Sequence, residues 1–126
     1  MEKKQAQIEQ FEKAIQRFTD VLALPLDKND TVRDSAIQRF EFCADLSWKT
    51  IKTVLEIDHG IACASPKGCL REAFAVAMLP DDSFWQSLLE LRNLSAHSYD
   101  ESIAEDIYTQ LPLALTYFKN LLQALK

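Results

Sequence analysis

Apolar residues recur along this chain at the spacing of an α-helix. Ile8, Phe11, Ile15, Phe18 and Leu22 step by three and four positions, which places them on one face of a helix from about Lys3 to Leu24. Pro25 and the polar run Asp27-Lys28-Asn29-Asp30 interrupt it, and Asn29 or Asp30 is suited to cap the next helix. Ile37, Phe40, Ala44, Trp48, Ile51 and Leu55 resume the stepping and predict a second helix from about Thr31 to Glu56. Asp58-His59-Gly60 ends it, with Gly60 suited to a left-handed C-terminal position. Ser65-Pro66 reads as an N-cap followed by proline at the first helical position. Leu70, Ala73, Phe74 and Ala77 then give a short third helix, stopped by Pro80. Asp81 or Asp82 caps a fourth, with Phe84, Trp85, Leu88, Leu91 and Ser95 near one stripe. A fifth starts near Asp100 or Ser102 and carries Ile103, Ile107, Leu111, Ala114, Leu115, Phe118, Leu122 and Leu125. Pro112 lies inside this last pattern and is expected to kink or split it.

No alternating strand, internal repeat or low-complexity segment interrupts these stripes. The pattern predicts an all-α fold: an antiparallel bundle of four to five helices forming a single domain over residues 1–126. Composition narrows the choice further. Two glycines and four prolines in 126 residues are too few to turn many short strands, which argues against a β-sandwich or barrel. The apolar stripes are wide for so small a bundle, and pairing with a second copy would bury the excess, so a homodimer is expected. The longest unbroken apolar run, Ala73 to Leu79, is seven residues, far short of a membrane span. The polar start Met1-Glu2-Lys3-Lys4-Gln5-Ala6-Gln7 does not read as a secretory signal, so the expected compartment is cytoplasmic.

The net charge of −5 disfavours a general nucleic-acid coat. Its distribution says more. Residues 81–110 hold seven acids and a single base, Arg92, so that arginine is either a salt-bridge partner or a placed functional group. Cys43, Cys63 and Cys69 are an odd number with no CxxC pair and are expected as free thiols. A zinc set would have to join His59, Cys63, Cys69 and His97, none of which has tight ligand spacing. No metal site is therefore expected. No cofactor is expected either, since the chain has no GxGxxG or P-loop, no HExxH and no nucleophile elbow.

The segment Arg92-Asn93-Leu94-Ser95-Ala96-His97-Ser98-Tyr99-Asp100 concentrates the candidate chemistry at the end of the predicted fourth helix. Arginine offers a fixed cation with several donors for a phosphate, and histidine exchanges a proton near neutral pH. Together they suit phosphodiester chemistry without a metal. On a straight helix, Arg92 and His97 are about 140° apart, so the helix must end or bend near Ser95, or a two-fold axis must bring two subunits' residues together. The alternative is that Arg92 pairs with Glu90 or a neighbouring acid and His97 hydrogen-bonds at a helix end. In the second helix, Glu41, Asp45 and Lys49 stand at i,i+4 spacing. Asp45 could orient a site residue on another helix.

Arg92, four intervening residues, His97, one residue, then Tyr99 resembles the Rx4HxY motif of HepT-type proteins in the HEPN superfamily. Two other stretches agree. They are Asp34 to Phe42 with Asp45-Leu46-Ser47-Trp48-Lys49-Thr50, and Ser65-Pro66-Lys67-Gly68 with Leu70-Arg71-Glu72-Ala73-Phe74. Together they are similar to the branch called nucleotidyltransferase substrate-binding proteins, over nearly the whole chain. The resemblance implies a dimerising helical bundle that works with a minimal nucleotidyltransferase of the MNT type, and a metal-independent ribonuclease toxin whose paired Arg and His lie across a dimer cleft. It implies Arg92 and His97 as the catalytic pair and Asn93 as a phosphate-binding side chain. Tyr99 matches the residue that the partner modifies with AMP and would lie beside the substrate. It also leaves a non-catalytic alternative, a subunit that presents a nucleotide or other substrate to the transferase, with RNA or a nucleotide as the molecule bound in one reading or the other.

Overall fold

The computed structural model describes residues 2–126. Five α-helices follow one another: α1 (Lys3–Leu22), α2 (Thr31–His59), α3 (Pro66–Ala75), α4 (Phe84–Leu94) and α5 (Glu101–Leu125), with a 3-10 turn at Ser95–His97 between the last two. There is no strand among the described residues. The result is the expected all-α antiparallel bundle.

Most residues of the stripes read from the sequence are buried, while Leu22, Trp48, Phe74, Phe84, Ile103 and Leu115 are half-buried and Ala77, beyond the end of α3, is exposed. Ile8, Phe11, Ile15 and Phe18 of α1 face Ile37, Phe40, Ala44 and Ile51 of α2 and Ile107, Leu111, Ala114, Phe118 and Leu122 of α5. Phe11, Phe18, Phe40 and Phe118 form the centre, with Phe118 6.0–6.3 Å from the other three rings, a spacing aromatic pairs favour. The pairing directions follow from contacts at the ends. Lys4 meets Asp58, so α1 and α2 are antiparallel. Lys126 meets Glu12, so α5 returns along α1. α2 is the central helix and touches each of the other four.

Several boundaries differ from the sequence reading. The backbone of Asp30 takes the N-cap position of α2 in a left-handed conformation, but its side chain caps nothing. Asp27 supplies the cap instead, accepting from the Val32 amide at 3.0 Å, because the turn folds it back over the first helical residues. α2 runs one turn further than expected, to His59, before Gly60 closes it at φ 65°. α3 ends at Ala75, with Ala77 rather than Pro80 making the left-handed exit. Its start is as read: the Ser65 hydroxyl accepts from the Gly68 amide. Asp82 caps α4 through the Phe84 amide. Pro112 does not split α5, which is one helix of 25 residues. The Pro112 ring is on an exposed face, and buried Leu111, Ala114 and Phe118 on the other side hold the helix together.

The cysteines also depart from expectation. Cys63 and Cys69 are bonded to each other, with Cα atoms 5.2 Å apart, and only Cys43 is free. The loop after α2 doubles back so that Cys63 meets the first turn of α3, a path that residue spacing does not encode. The same bond takes both thiols out of the zinc set considered above. Burial pushes the Cys43 thiol up to about 12, as for an inert core cysteine.

One buried charge ties the start of α2 to the start of α5. Arg33 is 3% exposed and donates to Glu101 and Glu105, both at 2.8 Å, and to Asp34 at 3.1 Å. The carboxylates lie at the surface, so only the cation is removed from water. Replacing Arg33 with Ala is expected to lower the unfolding free energy by roughly 2 kcal/mol in urea melts. The hydrogen bond from Arg33, then its charge, holds the Glu101 carboxyl below the ordinary glutamate range. A carboxylate depressed in this way stabilises the fold above its unfolded-state pKa and loses that contribution as pH falls through the folded-state value. The gap between wild type and Arg33→Ala is therefore expected to narrow from about pH 5 downward. A constant gap from neutral to acid pH would contradict the assignment.

Candidate functional site at the end of α4

Trp85, Leu88 and Leu91 bury one side of α4. Seven residues after Trp85, Arg92 returns to that side near the helix end, where the bundle opens and the side chain remains 32% exposed. The facing surface of α2 presents Glu41 and Asp45, one turn apart. Asp45 grips the guanidinium with both oxygens: Nε to Oδ1 at 3.0 Å and Nη2 to Oδ2 at 3.2 Å. Nη1 donates to Glu41 Oε2 at 2.9 Å and to the Ser95 hydroxyl at 3.1 Å. The buried Ser95 hydroxyl itself stands 2.7 Å from Glu41 and 2.6 Å from the Arg92 carbonyl oxygen. The Asp45 bond and the two carboxylate charges hold Arg92 still more firmly in its charged form.

This geometry has a chemical consequence. Arginine has five donor hydrogens, and four of those on Arg92 are committed. One Nη2 hydrogen is left for a ligand. Two carboxylates against one guanidinium also leave the spot locally negative. Arg92 is thus a rigid, oriented, single-donor cation, and the planar fork that suits a phosphate is already occupied by Asp45.

The chain then tightens into the 3-10 turn Ser95–His97 and leaves α4's direction. Asp100 restarts the helix, accepting from the amides of Ser102 and Ile103. His97 and Tyr99 project from this turn, with His97 Nδ1 3.3 Å from the Tyr99 hydroxyl. Tyr99 is 82% exposed, far above any other large apolar or aromatic residue among those described. The helix thus ends near Ser95, one of the two routes that the 140° separation left open. No hydrogen bond joins Arg92 to His97 among the described residues.

Arg92 and Asn93 also line a cleft of about 560 Å³, together with Asp45, Trp48, Lys67 and Gln86. His97 and Tyr99 lie outside it. The four candidates thus fall into two neighbouring groups, one at the cleft and one on the exposed turn. Glu41, Ser95, Trp48 and Lys67 join the site without having been singled out for it. The i,i+4 spacing of Glu41 and Asp45 was the available signal for the first. Arg92's carboxylate partners come from α2, and neither Glu90 nor another acid of its own segment takes that role.

An all-α bundle with this junction between its fourth and fifth helices belongs to a defined class. The chain is a member of the family described as nucleotidyltransferase substrate binding protein like, whose family model matches residues 6–126. Among individual relatives, a Haemophilus influenzae protein named probable ribonuclease HepT is 35% identical over 101 residues, which cover 77% of this chain and 69% of that protein. A crystal structure from Thermus thermophilus matches with a TM-score of 0.84 at 31% identity, over 92% of this chain and 98% of that one. A Haemophilus influenzae structure, described as revealing the fold of a substrate binding domain of a nucleotidyltransferase, matches with a TM-score of 0.71 at 30% identity, over 97% of this chain and 96% of that one.

Proposed function

We propose that this chain is a HepT-like toxin: a metal-independent endoribonuclease that acts as a homodimer in the cytoplasm and is neutralised by a minimal nucleotidyltransferase partner. The observation that carries the reading is the α4–α5 junction, where a fixed Arg92 precedes an exposed turn bearing His97 and Tyr99. The 35% identity to a probable ribonuclease HepT supports the same reading.

Cleavage of RNA by this route moves two protons. The 2′-hydroxyl loses one as its oxygen attacks phosphorus. The departing 5′ oxygen gains one as the P–O bond breaks, leaving a cyclic phosphate and a free hydroxyl. His97 performs such transfers, and a two-fold dimer supplies a second His97 so that base and acid act together. The remaining Nη2 hydrogen of Arg92 donates to a phosphate oxygen, and Asn93 adds a neutral donor beside it. Exposed Leu94 at the junction provides apolar surface for the second copy.

Loss of a general acid–base group costs about 10²–10⁴-fold in rate. His97→Ala, purified free of the partner and folded by circular dichroism, is therefore expected to lose RNA cleavage by that factor, and chelator is expected to leave wild-type cleavage unchanged. Equal cleavage by both proteins, or none by either across a range of RNAs, favours the second reading. That reading is a non-catalytic subunit that presents a nucleotide or other substrate to the transferase. The cleft lined by Trp48, Lys67 and Asn93 favours it, since it offers an aromatic face, a cation and an amide in one concavity.

Tyr99 is the point of control. Its phenolic oxygen attacks the α-phosphorus of ATP in the partner's active site, pyrophosphate leaves, and AMP stays on a side chain 3.3 Å from His97, blocking it. Coexpression with the partner is expected to add AMP to Tyr99 in intact-mass and peptide analysis. Addition only at the half-buried Tyr108 or Tyr117 would contradict this assignment.

A further inference from the structure

Away from the junction, α1 and α2 enclose a groove of about 380 Å³ whose walls are cationic. Lys13 and Arg17 line it from α1, and Arg39 and Lys49 line it from α2. None of the four makes an ion pair among the described residues. That runs against the composition: the chain is net −5, yet these four cations gather in one groove. Lys13 and Arg17 are like charges at i,i+4, an arrangement that costs helix stability, and no internal contact offsets it. The one acid at the groove is Asp45, which is already bound to Arg92.

Between the cations lies Phe42, 45% exposed, with the Arg39 guanidinium 5.7 Å from its ring centre. Cations that follow a backbone beside an exposed aromatic ring that stacks a base are the elements by which proteins hold single-stranded nucleic acid. Asp45 is a wall both of this groove and of the Arg92 cleft, so the two adjoin at α2.

We propose that the α1–α2 groove is a docking track for single-stranded RNA, with phosphates on Lys13, Arg17, Arg39 and Lys49 and a base on Phe42, leading the strand toward Arg92. The direction of travel rests on the ribonuclease reading; the binding itself does not. An acidic protein surface would satisfy the cations but would leave Phe42 without a role.

The test uses the full chain and a fluorescent 2′-O-methyl oligonucleotide of about 12 nucleotides, which cannot be cleaved because its 2′ oxygens are blocked. Anisotropy titrations between about 50 and 200 mM salt compare wild type with Lys13→Glu/Arg17→Glu. A second double variant, Lys28→Glu/Lys119→Glu, changes net charge equally at exposed positions outside the groove. The groove variant is expected to bind at least about tenfold more weakly, with a salt slope shallower by about 1.4, the value for two lost phosphate contacts on a single strand. Phe42→Ala is expected to weaken binding roughly fivefold or more, and the remote variant to stay within about twofold of wild type. The proposal is overturned if wild type shows no salt-dependent binding or if the groove variant binds like wild type. It is also overturned if the remote variant loses as much affinity. Because the oligonucleotide is inert, a failure of the cleavage reading appears separately, as equal cleavage of ordinary RNA by wild type and His97→Ala.

Discussion

The clamp that Glu41 and Asp45 place on Arg92 is the interaction on which the geometry of the junction depends. α4 is short, 11 residues, and marginal by itself. Its first turns are held by Trp85 and Leu88 in the core, but its last turn reaches the edge of the bundle. There the bidentate bond to Asp45 and the shared contact with Glu41 and Ser95 fix where the helix stops. Ion pairs at partly exposed positions contribute modestly to stability. Their value here is positional. A guanidinium with four donors engaged has one orientation, and it presents one remaining hydrogen in one direction.

A second arginine holds the other side of the same turn. Arg33 engages Glu101 and Glu105 in the first turns of α5, so the segment between Arg92 and Glu101 is anchored at both ends to α2, and His97 and Tyr99 project between the anchors. This also accounts for part of the charge asymmetry. The acidic stretch 81–110 carries a net −6 in sequence, and two of its carboxylates exist in the fold as partners for a buried cation on α2.

The helical stripes could be read from the chain because burial alone generates them. Phe11, Phe18, Phe40 and Phe118 fall at helical spacing and meet in one cluster. The motif residues could be read because they are close in sequence. What could not be read depends on how helices lie against each other. Glu41 and Asp45 are 51 and 47 residues from Arg92, and only the register of α2 against α4 brings them to it. Cys63 and Cys69 meet because a loop doubles back. The cationic groove was hidden twice, since its residues are split between two helices and the net charge has the opposite sign. The left-handed backbone at Asp30 passed the capping role to Asp27, a choice of turn geometry that a run of four polar residues leaves open.

The most direct test of the clamp is a double-mutant cycle in urea unfolding with Arg92→Ala, Asp45→Ala and the pair together. If Asp45 acts through Arg92, the two losses are non-additive, with a coupling of about 1–2 kcal/mol, the size expected for charge-assisted hydrogen bonds at a partly exposed position. Strictly additive losses, with coupling indistinguishable from zero, would mean that Arg92 is not held by α2, and the geometry derived for the junction would be wrong.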